Sequence, residues 1–356
     1  MCIRDSVFSQ QLINIGVSDP YYMRVLDFDN DTDLDIFYYA NTLDQIIYME
    51  NSGAGTFDIP GTIFYTGDRV TALNFTDMDM DMDPDMLIGF DYLAGYPAFE
   101  LYQNIDDVFM LSQAWNYTHD VMGIITAQFN PDSLPEIVVI FSNFLTGEDT
   151  IPLKQIAIFL NGGAMTFSAE ITPLLGILPV EYNDGVSSAS IADLDVNGID
   201  DIVLSDYNML LVISGNDTSE QIFTQYQEVF RPRNPVYAVA EIKIADSISY
   251  TLITDNHLNV YQYRNEPDGI SFERIIEQAG TNKIKYTGIY SSLVFDMDND
   301  GYKEDLFTFG GKMYEDEYGT YQWNTYSNVT DTEHAKHKLH TSNNWIKTFN
   351  TDLNGE

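Results

Sequence analysis

Residues 27–39 read Asp27-Phe28-Asp29-Asn30-Asp31-Thr32-Asp33-Leu34-Asp35, then Ile36-Phe37-Tyr38-Tyr39. An acid stands at every second position, and an unbroken apolar run follows. Val25-Leu26 supplies an apolar approach. The same order of apolar strand, acidic loop and apolar strand returns along the chain. Asp77, Asp79, Asp81, Asp83 and Asp85 lead into Met86-Leu87-Ile88. Gln128-Phe129-Asn130-Pro131-Asp132 runs to Glu136 and then Ile137-Val138-Val139-Ile140. Asp193-Leu194-Asp195-Val196-Asn197-Gly198 runs to Asp201 and then Ile202-Val203-Leu204. Asp296-Met297-Asp298-Asn299-Asp300-Gly301 leads through Glu304 and Asp305 to Leu306-Phe307. Glu241-Ile242-Lys243-Ile244-Ala245 stands where a copy is due but has lost its acids, and Asn350-Thr351-Asp352-Leu353-Asn354-Gly355 opens a last copy. The loops start at 27, 77, 128, 193, 241, 296 and 350, with gaps of 50, 51, 65, 48, 55 and 54 residues.

A repeat near 50 residues is a supersecondary unit that needs neighbours. Between the acidic loops lies a second signal. Tyr48-Met49-Glu50-Asn51-Ser52-Gly53 with Phe57 has a strand, an Asn/Gly turn and an aromatic. Phe159-Leu160-Asn161-Gly162-Gly163 with Phe167 repeats it; Tyr102-Gln103-Asn104 with Phe109 and Tyr263-Arg264-Asn265 with Phe272 are looser copies. Asn and Gly there are expected to supply the positive φ of tight hairpins. One repeat parses into four strands at 71–75, 86–92, 99–103 and 108–114. Aromatic and β-branched residues dominate, and no long 3.6-residue apolar period appears. The expected fold is all-β: a β-propeller of about seven four-stranded blades, with six or eight also compatible with the spacing. A row of small sandwich domains would need about 100 residues per unit.

The loop chemistry points to a cation. Counting the first acid as position 1, side-chain oxygens fall at positions 1, 3, 5 and 9. These are Asp27, Asp29, Asp31 and Asp35; Asp77, Asp79, Asp81 and Asp85; Asp193, Asp195, Asn197 and Asp201. The weaker copy offers Asn130, Asp132 and Glu136, and the later one offers Asp296, Asp298 and Asp300, with Glu304 or Asp305 at its end. Calcium takes six to eight oxygens at about 2.3–2.6 Å, and a carbonyl near position 7 would add one. Four or five Ca2+ sites are expected. Magnesium dehydrates reluctantly and demands a stricter octahedron. Gly198 and Gly301 hold position 6, where the loop turns sharply; Thr32, Met82 and Ser133 replace Gly there at some strain. A solvated acidic turn accounts for one copy, but not for five at near-regular spacing, each followed by an apolar strand. An EF-hand needs flanking helices and a Glu at position 12. Position 12 here holds Tyr38, Ile88, Leu204 and Phe307.

These loops with their strands resemble the FG-GAP/VCBS repeat, the calcium-binding repeat of integrin α-subunit propellers and of many secreted bacterial proteins. The resemblance covers nearly all of residues 20–356. It is specific at the 27, 77, 193 and 296 loops, moderate at 128 and absent at 241. The literal Phe-Gly…Gly-Ala-Pro signature is missing; Phe309-Gly310-Gly311 is a partial echo. The resemblance implies that the calcium loops are structural and lie on one face, with any ligand on the opposite face or the blade tops.

Charge narrows the partners. Sixteen Lys and Arg against 55 Asp and Glu give −39, a surface that repels nucleic acid and anionic membranes. Hydrophobic content of 44% supplies a core. No apolar run is long enough for a transmembrane helix. Met1-Cys2-Ile3-Arg4-Asp5-Ser6 back-translates as ATG TGT ATA AGA GAC AG, which resembles the mosaic-end adapter of transposase-based sequencing libraries. Residues 1–6 are therefore read as adapter-derived, and 7–356 as a single propeller truncated at one or both ends. Without Cys2 the segment has no disulfide, thiol chemistry or cysteine metal site. His334, His337 and His340 are read as part of a solvated loop. Met78, Met80 and Met82 are expected to cover the outside of theirs. No nucleophile elbow, zincin or phosphate-loop motif occurs, so no enzyme is assigned. The expected function is a secreted or cell-surface, calcium-stabilised module that binds a protein or glycan ligand away from the calcium loops, in adhesion or as a scaffold. The alternative is a carbohydrate-active enzyme resembling propeller-type polysaccharide lyases.

Overall fold

The computed structural model describes residues 20–53, 57–58, 61–67, 70–141, 156–168, 186–206, 209–213, 215, 226–230, 236–245, 248–255, 260–267, 269–277, 284–295, 305–314, 317–327 and 335–342. Every regular element among them is a β-strand, and every pairing is antiparallel. No helix among them is long and apolar enough to cross a membrane. The chain divides into two compact units. Of the described residues, the first takes those of 20–124 with 161–167, and the second takes those of 125–160 and 168–342.

The first unit holds two four-stranded sheets. One is β1 (Pro20–Leu26), β2 (Asp35–Ala40), β3 (Gln45–Met49) and β4 (Gly61–Tyr65), in that order. The other is β5 (Val70–Thr76), β6 (Asp85–Phe90), β7 (Phe99–Ile105) and β8 (Val108–Trp115). Its four strands match the sequence parse to within two residues. Asp106 and Asp107, at φ 52° and 63°, make the two-residue turn from β7 to β8, the geometry that matches strand twist.

β2 and β6 explain their own sequences. All six residues of each are buried, so both faces of the strand are covered. Phe37 and Tyr39 face Leu73, Met86, Ile88 and Phe90 in one core. Ile36, Tyr38 and Ala40 face Ile47 and Met49 on the other side. A strand buried on both faces reads as a continuous apolar run, not an alternation. Aromatic packing adds to the core: Phe28–Phe37 centroids lie 5.1 Å apart at 68°, and Phe37–Phe75 lie 4.6 Å apart.

The second unit opens with β9 (Val121–Ala127), which crosses the boundary, β10 (Glu136–Phe141) and β11 (Ile156–Phe159), a three-stranded sheet ordered β11-β10-β9. Four-stranded sheets follow in sequence order: β12 (Val186–Ala192), β13 (Asp201–Asp206), β14 (Met209–Ile213), β15 (Tyr226–Phe230); β16 (Val236–Ala245), β17 (Ile248–Asp255), β18 (Val260–Glu266), β19 (Gly269–Glu277); β20 (Ile284–Phe295), β21 (Asp305–Tyr314), β22 (Glu317–Ser327), β23 (Ala335–Ser342). Six sheets are thus described, each a run of consecutive antiparallel strands.

Three expectations are corrected. Glu241–Ala245 is not a loop but the end of β16, with Ala245 pairing Ile248 across a tight connection. Without acids to gather round an ion, the Ile-alternating segment stays in the ladder. His337 and His340 lie in β23, not in a loop; His334 is outside the described residues. Met78 is fully buried, whereas Met80 and Met82 are 56% and 78% exposed. Only the last two cover the outside of their loop.

Candidate metal centre

Each acidic loop joins the first strand of a sheet to the second, and the register fixes its span. Leu26 pairs with Asp35, Thr76 with Asp85 and Ala192 with Asp201. The position-9 acid therefore opens the second strand. Its side chain is buried and takes two backbone N–H groups. Asp35 accepts from Phe28 at 3.1 Å and from Asn51 at 2.7 Å. Asp85 accepts from Met78 at 2.8 Å and Asn104 at 2.9 Å, and Asp201 from Leu194 and Gly215, both at 2.8 Å. One carboxylate thus pins the loop's position 2 to the end of the third strand, or just beyond it.

The position-1 acid folds the middle of the loop. Asp27 accepts the N–H groups of Asp31 and Thr32, Asp77 those of Asp81 and Met82, and Asp193 those of Asn197 and Gly198, at 2.8–3.1 Å. The position-5 side chain closes the turn by accepting the position-7 N–H: Asp31 from Asp33, Asp81 from Asp83, Asn197 from Ile199. Such a loop is left-handed at two places. Position 6 has φ of 77° at Thr32, 81° at Met82, 70° at Ser133 and 86° at Gly198. Position 4 has 60° at Asn30, 65° at Met80 and 58° at Val196. A non-glycine residue there costs about 1–2 kcal/mol, most for a β-branched one such as Val196.

The result is convergence. In three loops the acids at positions 1, 3 and 9 each bring one oxygen within 4.8 Å of the others: Asp27, Asp29 and Asp35; Asp77, Asp79 and Asp85; Asp193, Asp195 and Asp201. Two oxygens on opposite sides of one calcium ion stand about 5 Å apart, so the spacing suits a shared cation. Asp31 and Asp81 fall outside these groups of three, and each, like Asn197, gives one oxygen to the turn. Burial pushes the Asp35 carboxyl up to about 6, with Asp29 adding to the shift against the two N–H donors. Burial likewise takes Asp85 and Asp201 up to about 7, reinforced by Asp79 and Asp81 and by Asp195 and Asp193. Asp29, Asp79 and Asp195 are also raised, first by burial. The resistance of positions 3 and 9 to ionising is what a divalent ion would relieve.

The 128 loop differs. Glu136 accepts the Phe129 N–H at 2.8 Å, as a position-9 acid should. Its other oxygen takes the Asn130 side-chain amide at 2.6 Å, and Asp132 accepts from Leu134. With Gln128 at position 1, only two acids remain. Burial pushes Glu136 up to about 7. Asp296, Asp298, Asp300 and Glu304 lie outside the described residues. Asp305 opens β21 opposite Phe295, ten residues on, so the one-residue insertion precedes it and Asp305 occupies the position-9 place.

Sequence reasoning missed three supporting groups. Gln103 donates to Asp79 at 2.6 Å and orients it. Gly215 fills the place of Asn51 and Asn104; a Cβ there would meet the Asp200 carbonyl at 2.4 Å. The hairpin asparagines are used differently from expectation. Glycines provide the left-handed turns, at Gly53 and Gly163, while Asn51 and Asn161 are buried and bond Leu34 O and Met78 O. The repeated Asn-x-Gly spacing marks these positions without revealing the bonds.

No family model and no curated protein matches the sequence. Among solved structures the chain is similar to an Agrocybe aegerita lectin, described for its specific recognition of non-reducing terminal N-acetylglucosamine. Identity is 16% and the TM-score 0.59, over 89% of this chain and 80% of that one. It is also similar to BBS1N in complex with ARL6DN, in crystals soaked with lead (10% identity, TM-score 0.51, 86% and 80% covered) or with mercury (9%, 0.52, 86% and 78%). At these identities the likeness is one of fold: the chain is all-β and propeller-like, a succession of antiparallel sheets, five of the six described having four strands.

Proposed function

We propose that the protein is a calcium-stabilised β-propeller of the FG-GAP/VCBS kind, working outside the cytoplasm as a ligand-binding, adhesion or scaffold module. The observation that carries this is the triple convergence of carboxylate oxygens within 4.8 Å at positions 1, 3 and 9 of three separate loops. The described sheets are read as blades of one propeller of about seven, with six or eight also compatible. Asp27, Asp29 and Asp35 would hold one ion, Asp77, Asp79 and Asp85 a second, Asp193, Asp195 and Asp201 a third, and the 296 copy a fourth. The ion would supply charge neutralisation and would tie each loop to its sheet. A protein or glycan ligand would then bind at the end away from the loops.

Thermal melting with and without a chelator tests the reading. The midpoint should fall by many degrees on chelation, return with calcium and not return with magnesium. An unchanged midpoint removes the calcium role. A glycan array and a lyase assay on acidic polysaccharides separate a binding module from a carbohydrate-active enzyme.

A further inference from the structure

All four tyrosines exposed among the described residues lie at one end of the first unit: Tyr21 (50%), Tyr65 (71%), Tyr92 (45%) and Tyr96 (54%). It is the end opposite the acidic loops. β2 leaves its loop at Asp35 and finishes at Ala40; Tyr21 pairs with Tyr39, and Tyr65 with Gln45, the partner of Ala40. β6 leaves its loop at Asp85 and finishes at Phe90, and Tyr92 and Tyr96 sit in the connection that follows. The two sheets run side by side, β1 against β5, with Asn30 bonded to Asp83 between their loops at 3.1 Å. Their far ends therefore also adjoin.

This end is built. Phe90 N–H bonds Ala98 O, Ala98 N–H bonds Trp115 O, and Tyr96 N–H bonds Leu93 O. Tyr92 N–H donates to Asp120 at 2.6 Å, and Thr66 N–H to Asp44 O at 3.1 Å. Phe99 stacks on Trp115 at 4.5 Å and 12° beneath the loop. Asp44, Asp91 and Asp120 accompany the tyrosines, while Arg24 is the sole Lys or Arg among the described residues of this unit, and it lies within β1. Exposed rings with wet hydroxyl tips mark recognition surfaces. Ring faces attract guanidinium, and carboxylates bind it in bidentate fashion.

We infer that the tyrosine-rich end of the first unit docks a basic, arginine-bearing polypeptide segment. The inference rests on the proposed function only in placing the ligand away from the acidic loops. Its test uses the full chain saturated with calcium and a fluorescent peptide of alternating Arg and Ser, read by anisotropy. The peptide should bind, with affinity falling as salt rises. Tyr92→Ser with Tyr96→Ser should weaken binding by about tenfold or more. Met80→Ser with Met82→Ser, exposed at the opposite end, should leave it within about twofold. Equal affinity for the two double variants overturns the inference, as does equal binding of a Glu and Ser peptide. So does a neutral glucan oligosaccharide that binds through these tyrosines when the Arg peptide does not. The chelator melt is read separately: a missing calcium shift with tyrosine-dependent peptide binding sinks the calcium reading and leaves this one standing.

Discussion

Replacing Asp85 by Asn separates the two duties of a position-9 carboxylate. Asp85 is buried and accepts the Met78 and Asn104 N–H groups, one on each oxygen. The asparagine keeps one acceptor and turns an amide toward the other N–H. One buried donor is left unmet, at about 1–3 kcal/mol. That loss is present with or without metal. In calcium a second loss is added, because the Asp77, Asp79 and Asp85 group loses an anionic oxygen. An ion present at a hundred times its dissociation constant stabilises by about 2.7 kcal/mol. The variant should therefore lower local stability by about 1–3 kcal/mol in chelator and about 4–6 kcal/mol in calcium. Hydrogen exchange of peptides containing Met78 and Asn104 reads both numbers as opening free energies. Asp107→Asn, in the exposed β7–β8 turn, is the control and should change neither. An equal effect of Asp85→Asn in calcium and in chelator refutes the metal duty; no effect in either refutes the latch.

Further outcomes follow from the same geometry. In chelator, Asp35, Asp85, Glu136 and Asp201 have folded pKa values of about 6 to 7, above the ordinary carboxyl range, so the folded chain binds more protons than the unfolded one. Their contribution is full below the ordinary carboxyl range, about pH 4, and is lost progressively between there and about pH 7; urea midpoints without metal should fall across that span and level off above it, while the stabilisation by added calcium should grow. Gly215→Ala places a Cβ 2.4 Å from a backbone carbonyl and 2.7 Å from Ile199, and should cost about 1–3 kcal/mol while loosening the Asp201 latch, seen as faster exchange at Leu194. Gln128→Asp with Asn130→Asp removes the amide that bonds Glu136 and completes a set of acids at positions 1, 3 and 9; calcium bound per chain should rise by one ion, and an unchanged count argues that the 128 loop geometry, not its composition, excludes metal.

Much of this was legible because the loop is a local object. Alternating acids before an apolar run fix a turn whose hydrogen bonds stay within nine residues, so Asp27, Asp29 and Asp35 were readable as a group without knowing the fold. The strands of the β5–β8 sheet were readable for the same reason. What stayed hidden depends on partners far along the chain. Asn51 and Asn104 receive the latch across 16 and 19 residues, and Gln103 reaches Asp79 across 24. No spacing rule encodes those bonds. Position 5 was assigned to the cation because its oxygen alternates with the others; that one oxygen there also accepts the position-7 N–H was not readable from the spacing. Met78 misled because alternation suggests an outward face, whereas the latch on its N–H turns it into the core. The 241 segment lacked acids, and nothing local distinguished an empty loop from an extended strand.

Counting metal ions tests the account most directly. After dialysis against calcium, elemental analysis should find at least three ions per chain, one for each converging group. The combined variant Asp29→Asn, Asp79→Asn and Asp195→Asn should bind three fewer. A wild-type chain that retains no calcium, or a triple variant that retains as much, contradicts the claim that these carboxylates are built around an ion.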